Sequence, residues 1–240
     1  MSAIEGARAR ARREITAAIK EEARRQLAAE GAARLSLRAV ARVLGVASSA
    51  LYRYFPSRDD LLTALIVDAY DAMGAAAEET ARAVDRADPA ARWVAVCAAA
   101  REWALAHPHE YGLVHGTPVP GYAAPRDTVG PASRLPLALL AVVADAHADG
   151  LLAPPGWEPL PPAVRAEAEA LAAEHAPGLP AQPTAALVAA WAQLTGLISA
   201  EVFGQYTGVV TARAEFFGHA VARLAAGIGL PSTRGAAPEE

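Results

Sequence analysis

Apolar residues recur along this chain every three or four positions and almost nowhere on alternate ones, which predicts helices and no strands. The first stretch, residues 9–29, carries Ile15, Ile19, Ala23 and Leu27 along one stripe, and Gly31 closes it. Two short segments follow. Ser36 has the hydroxyl to cap a helix over 37–44, Gly45 supplies a tight turn, and a second helix over 47–54 ends at Pro56. Ser57, with Asp59 and Asp60 in the turn behind it, opens a longer helix whose Leu62, Leu65, Ile66, Ala69 and Met73 share a face.

Downstream the punctuation is looser. A helix over 89–106 places Trp93, Val96, Cys97, Ala100 and Trp103 at helical spacing, and His107-Pro108 ends or kinks it. Residues 115–136 are rich in Gly and Pro and read as an irregular connection. Further helices are predicted over 137–148, 163–174, 184–206 and 211–226, with a Pro-rich break at 154–162. The fold class is all-α.

Composition narrows the picture. With 53% hydrophobic residues in 240, a sizeable core forms without staples or metals. The single cysteine, Cys97, excludes an internal disulfide framework and suits a reducing compartment. Between Glu174 and Glu201 no Asp, Glu, Lys or Arg occurs, yet the run holds three prolines besides Gln182, Thr184, Gln193 and Thr195. It reads as a buried helix and not as a bilayer span. The basic start lacks the apolar centre of a signal peptide, so the expected location is the cytoplasm.

Charge is unevenly placed. Residues 1–60 hold 12 Lys and Arg against 7 Asp and Glu, whereas the rest holds 10 against 19. A basic head on an acidic body directs the head, and not the body, to a polyanion. Catalytic signatures are missing from the sequence: there is no Gly-rich phosphate loop, G-x-S-x-G or H-E-x-x-H. His107, His109 and His115 lack a Cys or carboxylate pair to complete a metal set. No enzyme activity, cofactor or metal is expected.

Two short helices joined by a glycine turn, within a basic segment, fit a helix-turn-helix between Ser36 and Phe55. Val40, Leu44, Val46, Leu51 and Phe55 are placed to pack inward. Ser48, Ser49, Tyr52, Arg53 and Tyr54 are left outward, with hydroxyls, aromatics and an arginine suited to phosphates and base edges. Spacing alone also fits a plain helical hairpin packed on a bundle.

The run LSLRAVARVLGVASSALYRYFPSRDDLLTAL, residues 35–65, resembles the DNA-binding domain of the TetR family of regulators, and the likeness extends over about residues 12–70. The resemblance implies base or phosphate contacts for Arg38, Ser48, Ser49, Tyr52 and Tyr54, with Arg53 varying between DNA and solvent. It implies backbone-side positions for Ser36 and Arg58. Residues 103–122, WALAHPHEYGLVHGTPVPGY, resemble a C-terminal domain type of the same family named for tryptophan, histidine and glycine. The implied layout is a DNA-binding domain over 1–60, a helical effector-binding and dimerisation domain over 61–230, and a disordered tail over 231–240.

From this follow the expected partners: double-stranded DNA, a second copy of the chain, and a small hydrophobic or amphipathic effector that releases a repressor from a palindromic operator. No membrane is involved in this reading. The alternative is an architectural DNA-binding protein without an effector. Arg8, Arg10, Arg12 and Arg13 form a basic arm, either adding phosphate or minor-groove contacts or remaining solvated and disordered. Leu187, Trp191, Leu194, Ile198 and Val202 form one apolar stripe and Phe217, Val221, Leu224 and Ile228 another. Resemblance places an intermolecular four-helix bundle there; packing within the monomer is the other reading. Trp103, Tyr111, Tyr122, Trp157 and Phe203 are candidate effector-pocket lining, unless they are plain core.

Overall fold

Each helix forms where an alanine-rich apolar run is bounded by a cap or a breaker. The computed structural model describes residues 3–231; the rest of the expected tail, residues 232–240, lies outside them. Ten α-helices and two 3-10 turns are present, and no strand occurs among the described residues. The helices are α1 (Ala3–Glu30), α2 (Leu37–Val43), α3 (Ser48–Leu51), α4 (Arg58–Ala83), α5 (Pro89–Ala106), α6 (Pro108–His115), α7 (Val129–Ala148), α8 (Pro162–His175), α9 (Ala181–Val202) and α10 (Arg213–Ile228). The described residues divide into two compact units, one made of residues 3–70 with 107–131, the other of 71–106 with 132–231.

Several elements differ from the sequence-based expectation, among them α7 and the start of α1. The segment read as loop up to Pro136 is helical from Val129, with Pro136 inside α7. Proline removes one backbone donor there, and burial of Leu135, Ala138 and Leu139 along the same helix outweighs that loss. The basic arm is not an irregular tail: α1 already includes Arg8, Arg10, Arg12 and Arg13.

In the first unit, Ile19, Ala23, Leu35, Leu37, Val40, Leu51, Phe55, Leu61, Leu62 and Leu65 make one apolar cluster that fixes α1, α2, α3 and the start of α4. Ion pairs frame it. Lys20 Nζ lies 2.7 Å from Asp68 Oδ1, while Arg24 reaches Asp68 Oδ2 at 2.8 Å and Glu110 Oε2 at 3.0 Å. One acidic residue on α4 and one on α6 thus hold two cations of α1.

The second unit packs α9 against α8 and α10, and α5 against α10. Trp93 is fully buried and its Nε1–H donates to the Val221 carbonyl at 3.0 Å. Cys97 is also fully buried, which raises its thiol far above the ordinary range and leaves it a packing residue. Arg134 on α7 clamps α4 by donating to both Glu78 oxygens, at 2.8 and 2.7 Å, and to Asp71 Oδ1 at 2.8 Å. These bonds hold the Glu78 carboxyl below the usual carboxylate range.

Gly74 makes the clamp possible. A Cβ added there would collide with Arg134 Cβ and come within 3.2 Å of its Cδ and Nε. Alanine for glycine inside a helix normally stabilises. Here the clash falls near the α7 backbone, so Gly74→Ala is expected to destabilise by about 1–3 kcal/mol, the range for overpacking. Urea unfolding checks this, and a Gly74→Ala chain at least as stable as the wild type would refute it.

Candidate nucleic-acid interface

The face carrying the predicted DNA residues is built by local chemistry. Ser36 sits in extended backbone (φ −139°, ψ 117°) and its Oγ accepts the Ala39 N–H at 3.4 Å, capping α2. Its own N–H donates to Gln26 Oε1 at 3.4 Å, tying the cap to α1. At the other end Gly45, with φ 66°, takes the left-handed conformation that lets the Val46 N–H reach the Ala41 carbonyl at 3.1 Å. Ala41 is fully buried, so α2 and its neighbours approach closely.

The second helix is shorter than expected. Four residues are α-helical, and the turn then tightens, with Arg53 and Tyr54 N–H donating to the Ala50 and Leu51 carbonyls. Leu51 and Phe55 point into the cluster as predicted, and Leu44 packs against it. Val46, expected inward, is 42% exposed at the turn, because the chain has already left the core there.

Of the predicted contact residues, Arg38, Ser49, Tyr52 and Arg53 are exposed and Ser48 is half-buried. Arg42, one helical turn after Arg38, is exposed on the same face, a position that the i, i+4 spacing could have singled out. Tyr54 is half-buried against the cluster, and the Arg12 guanidinium lies 5.4 Å from its ring centroid.

Arg58 bonds within the chain. Its Nη2 donates to the Ala32 and Ala33 carbonyls at 2.8 and 3.4 Å, and Nη1 reaches Asp59 at 3.3 Å. These carbonyls belong to the 3-10 turn after α1, where the Ala32 carbonyl also accepts the Leu35 N–H at 3.3 Å. The guanidinium is engaged in holding that turn. Beside it Ser57 caps α4: its Oγ accepts the Asp60 N–H at 3.1 Å and donates to Asp60 Oδ2 at 2.7 Å.

The five aromatic residues expected to line one pocket are divided between the two units. In the first unit, Tyr111 is buried against the His115 ring (centroids 4.8 Å apart), and the Tyr122 hydroxyl bonds Thr63 Oγ1 at 2.9 Å. In the second, Trp157 Nε1–H donates to the Gly227 carbonyl at 3.0 Å, Trp103 is half-buried and Phe203 is 45% exposed. His115 sits between the Tyr70 and Tyr111 rings, where burial lowers its pKa. Among the described residues no group of three or more His, Cys, Asp or Glu is placed to hold a metal ion.

The apolar stripes expected to meet a partner are largely internal. Leu187, Leu194 and Ile198 of α9, and Phe217, Val221 and Ile228 of α10, are buried in the chain's own second unit. Only Trp191, Val202 and Leu224 remain half-exposed. The reason is that α9 is apolar nearly all round, so its strongest stripe goes to the core. A different face stays uncovered, with Val188 44% and Phe216 40% exposed. Between the two helices an open groove of about 360 Å³ runs past Gly196, Leu197, Tyr206, Ala220 and Leu224.

Comparison with known proteins agrees with this architecture. Residues 19–65 match the model for bacterial regulatory proteins of the tetR family, and residues 93–224 match the tetracyclin repressor-like C-terminal domain. The chain is 42% identical over 210 residues to the HTH-type transcriptional regulators Rv1816 of Mycobacterium tuberculosis (strain ATCC 25618 / H37Rv) and Mb1846 of Mycobacterium bovis. Those alignments cover 84% of this chain and 86% of the relatives. Among solved structures, the regulatory protein SCO4313 superposes with a TM-score of 0.71 at 34% identity, over 90% of this chain and 97% of that one. PfmR of Thermus thermophilus, a TetR family regulator, shares the fold at 18% identity with a TM-score of 0.54, over 86% of this chain and 95% of that one. The exposed helix-turn-helix and the matches over both parts of the chain lead to one assignment: the chain belongs to the TetR family, as a non-enzymatic, HTH-type DNA-binding transcriptional regulator.

Proposed function

We propose that the chain is a homodimeric repressor that leaves a palindromic operator when a small hydrophobic or amphipathic effector binds its second unit. The observation that carries the DNA side is the exposed set Arg38, Ser49, Tyr52 and Arg53, presented on capped helices over a closed core. In this reading Arg38 reaches a base edge, Tyr52 and the serines meet phosphates or bases, and Tyr54 supports the end of the recognition helix. Arg58 has a positioning role. One module makes few base contacts, so two copies read two half-sites about 34–36 Å apart.

Support for the pairing comes from α9 and α10. Only 28% of the most apolar stretch of α9 is buried within the chain. Val188, Ala192 and Gly196 follow each other at i, i+4 on α9, as do Phe216, Ala220 and Leu224 on α10. Small residues in such rows let helices of a partner approach to about 8–10 Å between axes. The effector acts by favouring a head spacing that the operator does not accept.

Selection of bound duplexes from a random-sequence pool, followed by anisotropy on selected and scrambled DNA at fixed salt, tests the DNA reading. Arg38→Ala is expected to cost about 1–3 kcal/mol of specific affinity. Adding Tyr52→Ala should bring the selected duplex close to scrambled. Unchanged preference in the double variant would refute these roles. Equal binding of both duplexes by the wild type would favour the architectural alternative.

A further inference from the structure

We propose that the first turns of α1 form a second DNA-contacting element, in which Arg8 and Arg12 hold backbone phosphates beside the recognition helix. This rests on the reading of α2 and α3 as the DNA face. In a helix with 3.6 residues per turn, positions 8, 12, 15, 19 and 23 fall on one face. At its inner end that face is core: Ile19 and Ala23 are fully buried. At Ile15, 41% exposed, the protein beneath it runs out. Beyond that point the same face carries Arg12 and then Arg8, both exposed. The apolar stripe thus turns into a basic one where α1 passes the edge of the domain.

What the basic stripe looks toward is set by Arg12, whose guanidinium lies over the Tyr54 ring at the end of the recognition helix. Arg8 is one turn further along, about 6 Å beyond Arg12. The cations deeper on α1 are neutralised: Lys20 pairs with Asp68, and Arg24 with Asp68 and Glu110. Arg8, Arg10, Arg12 and Arg13 have no carboxylate within ion-pair distance among the described residues. Arginines continuous with a DNA face and without a carboxylate partner among the described residues fit a polyanion, and phosphate is the group that guanidinium binds in a forked geometry. Arg10 provides an internal contrast. It has the same charge on the same turn of helix, but lies about 160° around the axis from Arg12 and faces away from Tyr54.

The test uses full-length protein and a fluorescein-labelled duplex recovered by selection with the wild type, titrated by anisotropy across a KCl series. Each lost phosphate contact flattens the slope of log K against log salt by about 0.9, so Arg8→Ala should flatten it by about 1.8 for two copies on one duplex. Arg8→Ala should weaken selected and scrambled duplexes alike, and Arg10→Ala should leave the slope within half of that change. Arg8 touches no core residue, and circular dichroism verifies that the helical content of the variant is unaltered. Equal slopes for Arg8→Ala and Arg10→Ala, or an unchanged slope for Arg8→Ala, would overturn the proposal while the α2–α3 reading stands. Loss of any preference for the selected duplex in the wild type would overturn both.

Discussion

Glu201→Ala is expected to destabilise the chain by about 3–5 kcal/mol, the range for removing one partner of a buried ion pair. The Glu201 side chain is 5% exposed and meets Arg101 in a bidentate arrangement, with contacts of 2.7 and 2.6 Å. The Arg101 guanidinium also lies over the Phe217 ring, 5.2 Å from its centroid. A single carboxylate on α9 therefore holds a cation of α5 in place against α10. Without it, a guanidinium that is only 16% exposed keeps its charge and loses its counter-ion. Glu201→Gln should fall between wild type and alanine, because one acceptor oxygen survives. Replacing both partners, as in Arg101→Met with Glu201→Leu, should recover much of the loss, since no uncompensated charge is left. Urea unfolding of the four chains measures the series. A loss below about 1 kcal/mol for Glu201→Ala, the value of an exposed pair, would show that water reaches the guanidinium and that the pair is not a buried one.

This pair also marks where sequence reading ends. Glu201 closes a run without charges, and periodicity gives no hint of its partner 100 residues away. Ser36, Gly45 and Ser57 were legible because caps and turns are decided by a residue and its next three or four neighbours. Arg58 is the opposite case: the carbonyls that claim it lie 26 and 25 residues back, on the turn after α1, beyond the reach of local pattern. Nor could the pattern decide which side of α9 meets a partner. With Leu187, Leu194 and Ile198 on one side and Val188, Ala192 and Gly196 on another, both faces are apolar or small. Only the position of α5 and α10 settles which stripe is internal. The Gly- and Pro-rich segment before Leu137 shows the same limit, because helix packing around Leu135 and Leu139 overrides local propensity at Pro136.

The outer face of α9 leads to the other large effect, the loss of paired DNA binding in Gly196→Arg. Gly196 is exposed, and a Cβ built there meets nothing within 4 Å, so the chain itself has room for a side chain. A partner helix packed at the distance that Ala192 and Gly196 permit has no such room, and symmetry places the new charge twice in the same interface. The variant should sediment as a monomer with unaltered helical content. Its affinity for a selected palindromic duplex should fall by about 10²–10⁴, the gain that comes from linking two binding modules. Binding to a single half-site should stay at the wild-type level, because Arg38, Tyr52 and the core beneath them are untouched. That contrast separates loss of pairing from damage to the head. A Gly196→Arg chain that still sediments as a dimer and binds the palindrome normally would move the interface off this face. The partly exposed row of Phe216, Ala220 and Leu224 would then need another explanation.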